Sequence, residues 1–379
     1  MKIGISGQAL GDVMSFEEIV RLGKGYGVRM YEIWPSNAPG EGESYGRRNV
    51  AELKRIQDGE GVEIYTVTLG AAFNWEACRT AEGYASLLCE AIDAAAELGA
   101  HAVNHYLYHI NLSEVHNYGR MEAFWARPLE HARQAGVVLA LENEAHDGTR
   151  TPELMRGILD HFDDPSFLTN FDATNYYHAS AEGFPAGYEI LRDKIGYVHI
   201  KNGCLHRYGA GQPEICTGAP MSGFHNPLPI QYTPLPDGAV NIPGLLTRIQ
   251  EDGCYDGPCT FEPHTHTPES VKAFYDREIA VISLFYAVGK WNSYFDALIF
   301  IRDANRQPLQ IILRRILVQT SVDKQHTTFT GATSEAELAK FRELVKYGLI
   351  VVSSLPVLCI YPFVQKYFVK GVMIGSVKG

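Results

Sequence analysis

The stretch Val137-Val138-Leu139-Ala140-Leu141-Glu142-Asn143-Glu144 decides how the rest of the chain is interpreted. Its five apolar residues run without the polar alternation of a half-exposed strand, which is typical of a β-strand covered on both faces. The run ends at a carboxylate, and an acid at the end of a buried strand is costly unless it is paired or bound to a cation. The stretch therefore predicts a buried strand that delivers Glu142 to a charged site.

Three later stretches have the same form, an apolar run that ends at or near a side chain able to bind a metal. They are Phe167–Asp172, Ile195–Lys201 and Pro258–Glu262. Carboxylates and imidazoles are common ligands of divalent ions. The four stretches therefore supply one candidate ligand set, which comprises Glu142, Asp172, His199 and Glu262.

Strand and helix patterns alternate over about the first 280 residues. Helix starts are marked by the capping box Ser15-Phe-Glu-Glu18 and by Thr151-Pro152, and Gly99 closes a long Ala-rich helix. The predicted strands are residues 2–8, 29–34, 63–69, 101–108, 137–142, 167–172, 195–200 and 258–262. Eight such units predict an α/β fold, the (β/α)8 TIM barrel, whose catalytic groups lie at the C-terminal ends of its strands. A doubly wound open sheet is the alternative, but no Gly-x-Gly-x-x-Gly follows the first strand.

The composition is that of a globular protein, with 46% hydrophobic residues, 20% charged residues and a formal net charge of −11. The last hundred residues carry 12 Lys and Arg against 6 Asp and Glu, so the acidity is concentrated in the first part. We therefore expect two domains, a barrel over residues 1–278 and a separate segment over 279–379. An acidic barrel argues against a nucleic acid partner, because binding to phosphates needs a basic face.

The seven cysteines are odd in number and include no Cys-x-x-Cys pair. They are expected to be reduced thiols rather than a disulfide or zinc framework. The first residues, Met1–Gly7, lack the apolar core of a signal peptide. We expect a cytoplasmic location for the barrel.

One connection between the predicted strands is unusually long. Residues 203–240 are rich in Gly and Pro and include His206 and Arg207. Long loops without helix or strand patterns are usually lids or disordered segments. Since this one lies at the functional end of the predicted barrel, we interpret it as a lid.

The segment from residue 279 onward has a different pattern. Residues 348–364 are seventeen residues without a charge, the lower limit for a membrane span. Tyr347 and Lys366 flank the run in the way of interfacial anchors. A buried core helix is the alternative, but the run contains two prolines. The pattern predicts a mostly helical, membrane-protein-like extension with a C-terminal part associated with a membrane.

The same segment resembles the C-terminal end of a carbohydrate ABC-transporter permease. The resemblance rests on Trp291–Leu298, Pro308–Leu317 and Leu355–Gly379. It implies a permease fragment fused to the barrel. We expect that such a fragment carries out no transport by itself, and a transport component is the alternative if the tail defines the function.

Residues 1–278 resemble the sugar phosphate isomerase/epimerase family of xylose isomerase-like barrels. The resemblance is carried by Leu141-Glu142-Asn143, Thr151-Pro152-Glu153, Phe171-Asp172, His199-Ile200-Lys201 and Phe261-Glu262. It implies that Glu142, Asp172, His199 and Glu262 bind one divalent ion, commonly Mn²⁺, Co²⁺, Mg²⁺ or Zn²⁺. Three carboxylates with one imidazole form a harder set than structural zinc sites use, which favours Mn²⁺ or Mg²⁺.

The resemblance implies an isomerase or epimerase of a small sugar, a sugar phosphate or a related keto compound. Removing a proton beside a carbonyl leaves an enediolate, whose charge a divalent cation can stabilise. Glu142 and Glu262 lie on strands across the predicted barrel and would act as the base and acid pair.

Two positions depart from the ketose 3-epimerase pattern. That group has a histidine three residues after the aspartate and an arginine six after the metal histidine, where this chain has Asn175 and Leu205. The departure favours a more distant relative, with inosose dehydratase-like chemistry as an alternative. An endonuclease acting at abasic sites is a further alternative that the acidity disfavours.

The expected partner is a small-molecule carbohydrate, and a homo-oligomer is allowed but not required by the sequence. Side chains that follow the predicted strands, or lie in the predicted lid, are the candidates for contact with that substrate. They are Trp34, Phe73, His105, Lys201, His206 and Arg207.

Overall fold

The computed structural model describes two compact units, Met1–Glu278 and Ile279–Gly379. In the first unit it describes residues 2–8, 10, 14–37, 45–69, 75–111, 113–205, 228–262, 264, 275–276 and 278. In the second unit it describes short stretches between residues 311 and 359.

Eight parallel strands of the first unit close into a barrel. In chain order they are β1 (Lys2–Ser6), β2 (Met30–Ile33), β3 (Glu63–Thr68), β4 (Ala102–His105), β5 (Val138–Glu142), β6 (Phe167–Asp172), β7 (Ile195–Ile200) and β10 (Pro258–Phe261). Each strand pairs with its neighbours in the sequence, and the parallel pairing of β1 with β10 closes the ring. The predicted TIM barrel is confirmed.

Helices follow the strands and form the outer layer of the barrel. They are α1 (Phe16–Gly25), α2 (Arg47–Glu60), α3 (Trp75–Cys78), α4 (Ala81–Leu98), α5 (Tyr118–Ala135), α6 (Pro152–Phe162), α7 (Ala173–His178), α8 (Tyr188–Leu191) and α9 (Ile242–Asp252). Ser15 forms the predicted capping box with Glu18, and Thr151 caps α6. The helix α4 ends at Gly99, whose φ of 71° is a conformation that glycine adopts without steric cost.

The barrel interior is apolar toward the N-terminal ends of the strands. Tyr65, Ala102, Ala140 and Tyr197 form a buried cluster there, with the rings of Tyr65 and Tyr197 stacked at 6.1 Å. Side chains two apart on a strand share a face. The residues two positions further along these strands therefore point into the same interior, and Asn104, Glu142 and His199 lie there in a polar layer. The apolar cluster thus forms a floor beneath a polar site.

The predicted lid is partly ordered as strands. Residues Asn202–Leu205 (β8) and Ile230–Thr233 (β9) pair as an antiparallel ribbon, followed by a short 3-10 helix at Leu235–Asp237. The expectation of a loop without regular structure is therefore wrong at both ends of 203–240. Residues 206–227, which contain His206 and Arg207, lie outside the described residues.

In the second unit, the described residues between 343 and 359 are helical. Several of their apolar side chains are exposed, namely Leu344, Tyr347, Ile350, Val351, Val352, Leu355 and Leu358. Within the described part of the chain, no helix reaches the length and apolar character needed to cross a bilayer. The structure therefore does not support the predicted span at 348–364, of which residues 349, 353, 356, 357 and 360–364 are not described.

Candidate metal centre

Four side chains from different strands converge at the C-terminal end of the barrel interior. Glu142 ends β5, Asp172 ends β6, His199 lies in β7 and Glu262 follows β10. One potential ligand atom from each lies within 4.8 Å of those of the other three, and all four residues are buried. The barrel thus brings together the candidate ligand set, although the residues are up to 120 positions apart in the sequence.

Hydrogen bonds hold the carboxylate of Glu142 in place. Asn104 on β4 donates to Glu142 Oε2 at 2.9 Å, and Asn104 in turn accepts from Asn170 on β6 at 3.1 Å. Asn175 lies at the edge of hydrogen-bonding distance from Glu142 Oε1, at 3.5 Å, and donates to the carbonyl of Asn143 at 2.8 Å. The residue that departs from the ketose 3-epimerase pattern therefore lies directly beside the site.

The two oxygens of Asp172 have different roles. Oδ1 accepts from the backbone amides of Thr174 and Asn175, at 2.8 and 2.9 Å, and so caps the short helix α7. Oδ2 faces the site and lies 2.9 Å from Lys201 Nζ. Helix capping thus fixes the carboxylate and leaves one oxygen directed at the other candidate ligands.

The imidazole of His199 is surrounded by carboxylates. Its Nδ1 lies 3.1 Å from Glu142 Oε1 and 3.5 Å from Glu262 Oε2, and its Nε2 lies 2.8 Å from Glu32 Oε2. Burial disfavours the charged ring, but the carboxylates of Glu32, Glu142 and Glu262 outweigh it and raise the pKa of His199 well above its usual range.

A buried lysine also enters the site. Lys201 Nζ donates to Glu262 Oε2 at 2.5 Å and pairs with Asp172. Burial opposes both charged forms of this pair, but the attraction prevails. Asp172 and Glu262 raise the pKa of Lys201 well above its usual range, and Lys201 with His199 holds the pKa of Glu262 well below its own.

The donor set fits a divalent cation. Three carboxylates and an imidazole are mutually close and buried, and like charges at such distances repel strongly in a low dielectric. For Asp172, burial raises the pKa, with Glu262 and Glu142 acting in the same direction and Lys201 against them. A bound divalent cation would relieve this repulsion, since carboxylate oxygens and imidazole nitrogens are common ligands of such ions.

The residues predicted to contact the substrate lie in different places in the structure. Lys201 lies within the site. Trp34 is buried just after β2, with its ring 6.1 Å from that of Tyr106, whose hydroxyl accepts from Asn104 at 3.2 Å. Through Tyr106, the side chain of Trp34 is therefore one residue removed from the polar layer. Phe73, His206 and Arg207 lie outside the described residues.

His105 is not brought to the site, because its side chain leaves β4 on the face opposite to that of Asn104. It lies in the layer between the strands and helices, 5.7 Å from the rings of both Trp125 and Phe167. Its Nδ1 is hydrogen bonded to Tyr84 at 3.1 Å. The prediction of a substrate contact at His105 is therefore wrong, because alternate residues of a strand point to opposite faces and His105 points away from the barrel interior.

Sequence reasoning missed two features of the site. Glu32 is a fully buried acid in β2, and the signal that could have revealed it is a single acid within the apolar run Tyr31-Glu32-Ile33. Tyr232 of β9 stacks on His264 at 4.0 Å, with an interplanar angle of 5°. Lys201, Glu262 and Asp172 are among the charged groups that act on Tyr232, whose pKa is raised mainly by burial. No sequence signal pairs Tyr232 with His264.

A closed barrel of eight parallel strands, with a buried group of three acids and a histidine at the C-terminal ends of its strands, defines the class of the protein, the (β/α)8 barrels. Within that class the assignment is specific. The chain belongs to the xylose isomerase-like TIM barrel family, whose sequence model matches residues 20–282.

Solved structures share this fold. The chain is similar to a xylose isomerase domain protein from Planctomyces limnophilus, with a TM-score of 0.58 and 15% identity over 76% of this chain and 97% of that one. It is also similar to a xylose isomerase-like TIM barrel protein from Mycobacterium smegmatis in complex with magnesium. The TM-score is 0.54, with 16% identity over 75% of this chain and 97% of that one. A third similar structure is that of the 3-keto-D-glucoside 4-epimerase YcjR from E. coli, with a TM-score of 0.52 and 18% identity over 75% of this chain and 99% of that one. At these identities the likeness shows the fold alone.

Curated relatives of a second kind also match the chain, and both are from Bacillus subtilis. The polygalacturonan/rhamnogalacturonan transport system permease protein YtcP is 39% identical over 140 residues, which are 37% of this chain and 45% of that protein. Protein LplC is 42% identical over 101 residues, 27% of this chain and 32% of that protein. The chain thus spans less than half the length of either relative. The match to a named permease supports the predicted permease-like segment.

Proposed function

We propose that the barrel is a divalent-metal-dependent isomerase or epimerase of a small sugar, a sugar phosphate or a related keto compound. The observation that carries the proposal is the convergence of Glu142, Asp172, His199 and Glu262, with ligand atoms within 4.8 Å of one another. Membership of the xylose isomerase-like family supports the same reaction class.

In this proposal Glu142, Asp172, His199 and Glu262 hold one divalent ion, with Mn²⁺ or Mg²⁺ favoured over Co²⁺ or Zn²⁺. The bound ion would supply Lewis acidity that offsets the charge developing on the substrate oxygen. The protein supplies a buried site, in which electrostatic interactions are stronger than in water.

Glu142 and Glu262 take the roles of proton acceptor and donor. Their strands, β5 and β10, are separated by β6 and β7 in the barrel, so the two carboxylates approach the site from different sides. One carboxylate removes the proton from the carbon beside the carbonyl, and the other returns a proton to the adjacent carbon or to the opposite face. Lys201 is hydrogen bonded to Glu262 and would influence when that carboxylate accepts a proton.

The substrate contacts differ from those of ketose 3-epimerases. Asn175 occupies the position of their histidine and is hydrogen bonded to the backbone of Asn143. Leu205, at the position of their arginine, is exposed. These two residues support a substrate other than a simple ketose, within the same reaction class. We propose Lys201 and Trp34 as the described contacts, with Phe73, His206 and Arg207 as candidates beyond the described residues.

The permease-like segment has a separate proposed origin. YtcP is named as a permease protein of a polygalacturonan/rhamnogalacturonan transport system, and the chain spans only part of it. We propose that residues 279–379 derive from such a permease and that the enzymatic function resides in residues 1–278. In this proposal the partner of the protein is a small carbohydrate rather than a nucleic acid.

The experiment is a panel of ketoses, inososes and hydroxy keto acids incubated with the protein and Mn²⁺ in D₂O. Product formation with deuterium at the carbon beside the carbonyl is expected. Glu142→Gln and Glu262→Gln should each lower kcat by at least about 100-fold, within the range of general acid and base contributions. Arg55→Gln, on an exposed helix face, is the matched control. Metal content measured by mass spectrometry tests the ligand set separately, and a protein that binds no divalent ion contradicts the proposal.

A further inference from the structure

Another buried carboxylate faces the barrel interior but is not among the four candidate ligands. Glu32 on β2 is 1% exposed. Its Oε2 lies 2.8 Å from His199 Nε2, and its Oε1 accepts a hydrogen bond of 2.6 Å from the hydroxyl of Thr68 on β3. Both oxygens of this buried acid therefore have a defined partner.

The contact between Glu32 and His199 crosses the interior of the barrel. In the ring of strands, β2 and β7 are separated by β1 and β10, so the two residues are not neighbours in the sheet. Burying a carboxylate is costly unless it is hydrogen bonded. Here the partner of the acid is the imidazole that also contacts the candidate ligands Glu142 and Glu262.

The contact determines which nitrogen of His199 faces the site. An imidazole N–H donates and a carboxylate oxygen accepts, so the 2.8 Å contact suits a hydrogen bond from His199 Nε2–H to Glu32 Oε2. The other nitrogen, Nδ1, lies 3.1 Å from Glu142 Oε1 and 3.5 Å from Glu262 Oε2. Nδ1 is thus the ring nitrogen on the side of the potential ligand oxygens, where its lone pair would be available to a bound cation.

We propose that Glu32 is the positioning residue of the metal centre. It holds His199 in the tautomer and orientation that present Nδ1 to the cation, and the hydroxyl of Thr68 fixes Glu32 in turn. This inference rests on the proposed metal site. Histidine ligands commonly donate their second nitrogen to such a partner, whose loss lowers metal affinity by about 10- to 100-fold.

Graded substitutions of Glu32 in the full-length protein test the proposal. Glu32→Gln keeps an acceptor for Nε2–H but removes the charge, whereas Glu32→Leu removes both. The dissociation constant for Mn²⁺, measured by calorimetry, should rise modestly in Glu32→Gln and by about 10- to 100-fold in Glu32→Leu. Thr68→Val should cause a smaller rise, because the carboxylate stays but loses one partner.

The control is Thr169→Val. Thr169 is equally buried, but its hydroxyl donates to the backbone of Leu141 at 3.0 Å rather than to the site. This substitution should lower the melting temperature without changing the dissociation constant. If it weakens Mn²⁺ binding as much as Glu32→Leu, the effect is general and the proposal is overturned.

A spectroscopic readout separates positioning from a merely structural role. In protein labelled with ¹⁵N-histidine and loaded with Mg²⁺, His199 should show a protonated Nε2, and this signal should shift in Glu32→Gln. Wild-type affinity in a folded Glu32→Leu, or an unchanged signal in folded Glu32→Gln, overturns the proposal while leaving the metal site standing. If Glu32→Leu does not fold, the dissociation constants of Thr68→Val and Glu32→Gln and the His199 signal of Glu32→Gln test the proposal. Failure of the wild-type protein to bind any divalent ion overturns both proposals.

Discussion

The ammonium group of Lys201 donates to the carboxylate of Glu262 at 2.5 Å, across the seam between β7 and β10. Asp172 lies 2.9 Å from the same ammonium on the other side. Lys201 is only 6% exposed, so its charge is held inside the barrel by these two acids. In the metal-free protein the lysine thus offsets part of the repulsion among the buried carboxylates.

Lys201→Met is expected to destabilise the metal-free protein by about 3–5 kcal/mol, the usual cost of leaving a buried charge without its partner. Mn²⁺ should restore much of that loss, because a bound cation stabilises the folded state. The rise in melting temperature on adding Mn²⁺ should therefore be larger in the variant than in the wild-type protein. Lys24→Met, which removes a partly exposed pair with Glu60, is the control. An equal rise in both would contradict this role of Lys201.

The buried ring of His105 predicts an acid-sensitive fold. Burial lowers its pKa to about 3, because a charged imidazole is disfavoured in the layer between Trp125 and Phe167. Below pH 6.5 the unfolded chain takes up a proton on this residue, but the folded protein does so only near pH 3. The free energy of unfolding should therefore fall by about 1.4 kcal/mol per pH unit between these values on account of His105 alone.

His105→Phe removes this contribution. We expect its free energy of unfolding, measured with urea from pH 4 to 7, to vary less with pH than that of the wild-type protein. His131→Phe is the control, because His131 is an exposed partner of Asp93. A wild-type slope in His105→Phe would show that other groups govern the acid sensitivity.

The strand ends could be predicted because each candidate ligand lies in or directly after a mainly apolar run, as in Val138–Glu142. The direction of the His105 side chain could not be predicted, because Asn104 and His105 are adjacent polar residues and the sequence does not say which one faces the barrel interior. Glu32 was missed for a related reason. A lone acid in a short strand fits a solvent-facing position as well as a buried one, and the buried partner of Glu32, His199, is 167 residues away. The ribbon of β8 and β9 pairs strands separated by 24 residues, a connection too long for local turn signals to indicate the pairing.

The stacked pair of Tyr232 and His264 predicts a substrate platform. The rings are parallel at 4.0 Å, and Lys201 and Glu262 act on Tyr232. An aromatic ring contributes binding energy when a substrate covers its face, so Tyr232→Ala should raise KM, with a smaller change in kcat, for the substrate that the panel identifies. Tyr232→Phe keeps the ring and should retain a KM close to wild type. Equal KM values in wild type and Tyr232→Ala would exclude the platform.

Residues beyond β10 complete the first unit and predict where the chain can be cut. Tyr275 is fully buried, with its ring 6.0 Å from that of Phe261, and Asp276 accepts a hydrogen bond from the hydroxyl of Tyr26. Glu278 is also buried and accepts from the backbone amide of Leu235 at 3.0 Å. These contacts fasten the end of the unit to α1 and to the segment after β9.

A protein ending at residue 278 should therefore fold and bind Mn²⁺ with the affinity of the full chain. A protein ending at residue 274 loses the aromatic ring of Tyr275 and both acids, and its free energy of unfolding should be lower by several kcal/mol, since burying one large aromatic side chain contributes about 2–3 kcal/mol. Melting temperature and Mn²⁺ affinity measured on both proteins test this boundary. If the protein ending at 278 is unfolded while the full chain is folded, the second unit is required for the barrel, and the assignment of the enzymatic function to residues 1–278 fails.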